Sequence, residues 1–220
     1  MALILQGGMF FAIGQARSAT DETRGASRPV PNTIFRDSDG KLISNNEFVD
    51  IRLANFHHPD KTLVKTLEDG TIEFRLQRVP QEGAAAPQLT LQTIDGKILD
   101  AETLKGKVLV LNFWFIGCPA CISETPKLNE LAGIFAGTDS VVFIAMTYEP
   151  GEKVKKYLAR QKFDYRVVAD AGPAMKSFVF SGYPKNIVIG KDGKIVYWRS
   201  TVHAWAKFES IVRAEIEKPT

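Results

Sequence analysis

The chain has 220 residues, of which 45% are hydrophobic, 10% aromatic and 24% charged. These fractions are those of a folded globular protein and exclude wholesale disorder, collagen and multi-span membrane architectures. A formal charge of +3 without a Lys/Arg run argues against a nucleic-acid partner, and two cysteines, Cys118 and Cys121, are too few for a multi-bridge secreted scaffold.

Residues 2–13 (ALILQGGMFFAI) are mostly apolar and lead into Gly14-Gln15-Ala16, which places small residues three and one positions before a cut after Ala16. The pattern predicts a secretory signal over residues 1–16, although no basic stretch precedes it. The run is short for a membrane span, and a retained segment would leave the protein membrane-associated. Residues 17–31 are polar, with no apolar period, and read as a linker.

Residues 32–83 form a small α+β segment on their pattern. Asp37-Ser38-Asp39-Gly40 turns a first hairpin, and Asp69-Gly70 turns a second. Between them Asn45 or Asn46 caps a short helix with Phe48, Ile51, Leu53 and Phe56 as its apolar stripe. So little apolar content is marginal alone, and the segment is expected to pack on the larger C-terminal part of the chain.

Residues 84–220 alternate strand and helix signals. A hairpin surrounds Asp95-Gly96, and residues 108–115 are a continuous apolar and aromatic run, as in a strand buried on both faces. Residues 119–135 carry a helical period, with Cys121, Leu128, Leu131, Ala132 and Phe135 on one side. Next come a buried strand (141–146), an amphipathic helix (152–161), a short strand (166–169), a short helix (173–180), two strands around Lys191-Asp192-Gly193, and a terminal helix (206–217). This order describes an α/β fold with a mixed sheet flanked by helices.

The chemistry sits at Cys118-Pro119-Ala120-Cys121, directly after the buried strand. A disulfide here closes a loop of four residues and contributes only about 2 kcal/mol on the chain-entropy argument. Reactivity is a better reason for the pair. With Cys118 at the N-cap and Pro119 at the first helical position, the Cys118 sulfur faces free backbone N–H groups and the positive end of the helix dipole. Both favour the thiolate, the attacking species, while Cys121, one turn further in and less exposed, is suited to resolve a mixed disulfide. A zinc site would need His57, His58 or His203 to complete it, and the spacing does not supply a second metal-binding pair. An inert structural disulfide is the other alternative.

The segment Leu111-Asn112-Phe113-Trp114-Phe115-Ile116-Gly117-Cys118-Pro119-Ala120-Cys121, followed by Glu124 and Pro126, resembles the active-site region of the thioredoxin superfamily. Upstream Ala86-Pro87-Gln88-Leu89, Asp95-Gly96-Lys97 and Leu104-Lys105-Gly106-Lys107, and downstream Gly182-Tyr183-Pro184, Asn186-Ile187-Val188-Ile189 and Asp192-Gly193-Lys194, extend the likeness over the whole of residues 84–220. The chain most resembles the TlpA/ResA-like extracytoplasmic thiol–disulfide oxidoreductases.

That resemblance implies a thioredoxin-like fold with Cys118 as nucleophile and Cys121 as resolving thiol. It implies a cis-proline at Pro184 facing the disulfide, with Tyr183 presenting backbone to a substrate and Trp114 and Pro119 beside the groove. Asn112 stands where cytoplasmic thioredoxins carry a buried aspartate, so proton transfer passes to Glu124; the alternative for Glu124 is a first-turn acid favoured by the helix dipole. Gly117 replaces the tryptophan usual before the first cysteine, which opens one wall of the groove. The implied redox centre is the cysteine pair, with no metal or other cofactor. The implied partners are disulfide-containing protein substrates, such as apocytochrome c, and a membrane thiol reductase, around an exported, periplasmic or secreted, monomer. A peroxiredoxin-type peroxidase shares the fold but places Thr where this chain has Phe115, and a copper-binding module of related fold wants CxxxC spacing.

Overall fold

The computed structural model describes residues 31–54 and 62–219, so the expected signal, most of the linker and the His57-His58 pair lie outside the described residues. The first described strand, β1 (Thr33–Arg36), turns through Gly40 at φ +85° into β2 (Leu42–Ile43), which pairs antiparallel with it. Helix α1 (Asn45–Arg52) comes next. Its cap is Ser44 rather than Asn45 or Asn46, because Glu47 closes a reciprocal box: Ser44 Oγ accepts the Glu47 N–H at 3.2 Å, and Glu47 Oε2 accepts the Ser44 N–H at 3.1 Å. Phe48 from the expected stripe is buried, whereas Leu53 is exposed and its neighbour Ala54 takes the buried place.

Strands β3 (Leu63–Thr66) and β4 (Ile72–Arg75) form the second hairpin, and β4 also runs parallel to β1. The result is a four-stranded sheet in the order β2-β1-β4-β3. Phe35, Phe48 and Phe74 pack together beneath it, with ring centroids 4.7 to 6.0 Å apart.

A small hairpin, β5 (Leu91–Gln92) and β6 (Ile98–Leu99), precedes α2 (Ala101–Leu104), a single turn that the apolar pattern does not reveal. Asp100 and Thr103 cap α2 reciprocally. The central sheet then assembles from β7 (Val108–Phe113), β8 (Val141–Met146), β9 (Arg166–Val168), β10 (Lys185–Ile189) and β11 (Ile195–Arg199) in the order β11-β10-β7-β8-β9. Strands β7, β8 and β9 are parallel, and β10 and β11 return antiparallel. Connecting helices are α3 (Pro119–Ile134), α4 (Gly151–Leu158) and α5 (Gly172–Lys176), with α6 (Trp205–Glu217) last. The edge of β11 is covered by residues 83–86, which exchange backbone hydrogen bonds with residues 193–195.

Strand alternation assigns the two faces. Leu109, Leu111 and Phe113 enter one cluster with Ile187, Ile189 and Ala54, while Val108, Val110 and Trp114 enter the other with both cysteines, Leu128, Val188 and Phe208. Asn112 therefore falls on the α3 face. On β10, Lys185 shares the parity of Ile187 and Ile189, and Asn186 that of Val188, so these two polar neighbours leave the sheet on opposite faces.

Candidate active site

Helix α3 begins at the first cysteine. Cys118 is the N-cap, its Sγ accepts the Cys121 N–H at 3.2 Å, and Pro119 fills the first helical position, where no N–H is needed. Gly117 holds φ +89°, a backbone that strains any L side chain, while nothing lies within 4 Å of where its Cβ would stand; conformation rather than space demands glycine there. Cys118 and Cys121 are joined by a disulfide with Cα atoms 5.3 Å apart. The expected contrast between an open Cys118 and a covered Cys121 is absent from this oxidised form: the residues are 3% and 4% exposed, inside an apolar cluster against which Phe115, Ile116 and Ala120 also pack.

Glu124 lies past the first turn of α3 and is 4% exposed. Its Oε1 accepts the Val202 N–H at 2.5 Å, and its Oε2 accepts Asn186 Nδ2 at 3.1 Å. Burial pushes the carboxyl from its ordinary 4.5 up to about 7, against the lowering effect of those two bonds; nearby Asp50 raises it further and His203 lowers it. A carboxyl held there changes protonation in the range where thiols exchange.

The Asn112 position is explained by its partner. Asn112 and Asn186 face each other in the β7·β10 register, and Asn112 Nδ2 donates to Asn186 Oδ1 at 2.9 Å. Asn186 Nδ2 in turn donates to Glu124 and, at 2.7 Å, to the Ser200 carbonyl. The chain Asn112–Asn186–Glu124 thus satisfies three buried polar side chains and fixes the rotamer of the last.

On the other side of the disulfide, the Tyr183–Pro184 bond is cis. Lys185 pairs with Phe113 at the end of β7, so the loop before β10 lies beside the loop that carries Cys118. Tyr183 touches Phe115 (centroids 5.2 Å apart), Phe180 (5.2 Å) and Tyr148 (6.0 Å), which builds an aromatic ledge at the rim. Pro119 is exposed beside it. Trp114 is buried against Tyr157 and Phe163, in the same apolar cluster as the cysteines. His203 sits just before α6, with its Nδ1 2.6 Å from Asp50 Oδ1.

Lys185, Asn186, Ser200 and Asp50 do not stand out in the sequence as site residues. One signal points to the first two: Lys185-Asn186 opens an apolar run, and polar residues on a strand buried on both faces require partners. Lys185 is fully buried, donates to the Ala54 carbonyl at 2.6 Å and to Ser200 Oγ at 3.0 Å, and lies 5.2 Å from the Trp198 ring. Burial, with Arg199 nearby, lowers its ammonium from 10.5 to about 7.

Comparison with known proteins agrees with this geometry. Residues 81–210 match the Redoxin family. The chain is similar to the thiol-disulfide oxidoreductase ResA of Halalkalibacterium halodurans, with 26% identity over 66% of this chain and 80% of that protein. The ResA of Bacillus cereus is 31% identical over 53% of this chain and 68% of its own length. Among solved structures, a thiol:disulfide interchange protein of the thioredoxin family from Chlorobium tepidum superposes with a TM-score of 0.54 at 25% identity, covering 63% of this chain and 99% of that one. The thioredoxin domain of a thiol-disulfide oxidoreductase from Bacteroides vulgatus gives 0.52 at 26% identity, covering 60% and 97%. With more than half of its length matched and the disulfide, cis-proline and sheet order in place, the chain belongs to the Redoxin family, as a ResA-like protein of thioredoxin-like fold.

Proposed function

We propose that this thiol–disulfide oxidoreductase is exported and reduces disulfides in protein substrates, with Cys118 attacking, Cys121 resolving and Glu124 accepting the Cys121 proton. The observation that carries the reading is the carboxyl of Glu124, buried one helical turn beyond Cys121 and hydrogen-bonded to two neutral donors, the Asn186 amide and the Val202 N–H. In the first step the Cys118 thiolate attacks a substrate disulfide, forming a mixed disulfide and expelling one substrate thiolate. Cys121 then passes its proton to Glu124 and attacks Cys118 Sγ. The S–S bond to the substrate breaks, the second substrate thiolate leaves, and the Cys118–Cys121 disulfide seen here forms. Two electrons pass from the dithiol to the substrate, and the proton on Glu124 is released to the departing thiolate or to water. No metal or organic cofactor enters the cycle, since the cysteine pair carries both electrons.

The ledge of Phe115, Tyr148, Phe180 and Tyr183, with Val179 displayed next to it, suits an apolar stretch of polypeptide around the substrate cysteine. Export is supported by the apolar leader read in residues 1–16 and by the ResA likeness. In the same reading the oxidised protein is recharged by a membrane thiol reductase, and its substrates include apocytochrome c cysteines.

Cysteine roles are tested with reduced protein and 5,5′-dithiobis(2-nitrobenzoate), following thionitrobenzoate release. Wild type should release two equivalents, the first on attack and the second on resolution. Cys121→Ser should stop at one and hold a stable mixed disulfide, whereas Cys118→Ser should react at least a hundredfold more slowly. Equal behaviour of the two variants overturns the assignment. Direction is tested by the reduction potential of the pair: a value near about −270 mV fits a reductant, and one near about −120 mV makes the protein a disulfide donor.

A further inference from the structure

The loop of residues 200–204, between β11 and α6, supplies the Val202 N–H that grips Glu124 at 2.5 Å. Both sides of this donor are tied to the segment ahead of the family-matched region. After Val202, the His203 N–H donates to Asp50 Oδ1 at 2.7 Å and the Ala204 N–H to Asp50 Oδ2 at 2.8 Å, while the His203 ring meets Oδ1 at 2.6 Å. Before it, Ser200 Oγ donates to the Leu53 carbonyl at 2.9 Å and accepts from Lys185, which also holds the Ala54 carbonyl. Asp50 is 2% exposed, and Ala204, the N-cap of α6, has no side chain able to cap the helix; the Asp50 carboxylate, from another element, accepts the N–H of this N-cap residue and of the residue before it. A carboxylate that accepts two successive backbone N–H groups through its two oxygens leaves the peptide between them little freedom.

We propose that Asp50 of α1 is a positioning residue for the exchange reaction: by bracketing His203 and Ala204 it fixes the Val202 N–H against Glu124, so that the N-terminal segment governs the proton acceptor of the resolving cysteine. The inference rests on the role given to Glu124 above and adds to it a residue from outside the redox domain's own core. Asp50 does not touch the sulfurs; it acts through the loop. The ionisable groups that interact with Glu124 are Asp50 on α1, His203 in the loop, Tyr197 on β11 and Tyr165 ahead of β9, with Cys121 on its own helix. Of these, Asp50 and His203 act on the carboxyl in opposite senses, the first raising and the second lowering its proton affinity.

The test is a double-mutant cycle on the second thionitrobenzoate release, measured from pH 5 to pH 9 in the full chain. Asp50→Asn is expected to slow resolution about tenfold, within the range of a displaced general base. In a Glu124→Gln background the same substitution should change the rate by less than twofold, because the group through which it acts is gone. A tenfold effect that persists in that background overturns the proposal and makes Asp50 a support of the fold alone. Glu124→Gln at the wild-type rate overturns instead the reading beneath it. His203→Ala, which keeps both backbone donors, serves if Asp50→Asn does not fold. It should move the inflection near pH 7 upward, because the imidazole lowers the proton affinity of Glu124, while the plateau rate stays within twofold because Asp50 still holds the loop; a tenfold loss on the plateau overturns the proposal.

Discussion

Every residue of β7 and β10 in the central sheet is buried, whereas every residue of β3 in the N-terminal sheet is exposed. The central sheet has an apolar cluster on each face. The N-terminal sheet has little more than the Phe35–Phe48–Phe74 trio on one face. The two sheets therefore do different jobs. The first is a rigid platform that holds Asn112, Asn186 and the loop before Cys118 in place. The second is too thin to be a core of its own, and its contribution is to hold α1 where Asp50 and Leu53 reach the loop that grips Glu124 and Ala54 meets Lys185 of β10.

Packing tests that contrast most strongly. Phe113 is buried at the end of β7 against Phe178 and Phe180, and Phe113→Ala should cost about 3–5 kcal/mol in denaturant unfolding. A loss under about 1 kcal/mol would mean that the platform is softer than its burial indicates. The next effect concerns charge. Lys185 is buried with its folded pKa lowered to about 7. Between about pH 7 and 9 the unfolded chain therefore binds a proton that the folded chain does not, and stability should rise across that window by about 2–3 kcal/mol. Lys185→Met should flatten this rise, and an unchanged slope would show that the ammonium is solvated. Glu124 works in the opposite sense: its raised carboxyl costs stability as pH climbs from about 4.5 to 7, so the two groups together place a stability minimum close to pH 7. The smallest effect belongs to the outer edge of the N-terminal sheet. Val64 is 61% exposed, and Val64→Ser should change stability by no more than about 0.5 kcal/mol and leave exchange untouched.

Legibility in the sequence divides along the same line. Residues 108–115 read as a buried strand because an unbroken apolar run has no other soluble home at that length, and the structure ends that strand at Phe113, where the chain must leave the sheet to reach Cys118. Cys118-Pro119 announces a helix start because both residues suit those two positions. Ser44 is easily missed beside Asn45 and Asn46, since all three are capping types and only the spacing to Glu47 separates them. The parallel pairing of β1 with β4, the Lys185–Ala54 bond and the Asp50–His203 bond leave no local trace. They join residues far apart in the chain, and no period of 2 or 3.6 records such a meeting. Glu124 is legible from its place one turn after Cys121, but its partners Asn186 and Val202 become visible only when the sheet has brought three distant stretches together.

The central claim, that the buried carboxyl of Glu124 takes the proton of the resolving cysteine, is tested most directly by the pH dependence of the second thionitrobenzoate release. In wild type the rate should fall about tenfold per pH unit below an inflection close to pH 7, where Glu124 becomes protonated and can no longer accept. Glu124→Gln should be slower by about a hundredfold on the plateau and should lack that inflection. A Glu124→Gln profile that overlays the wild type would contradict the account.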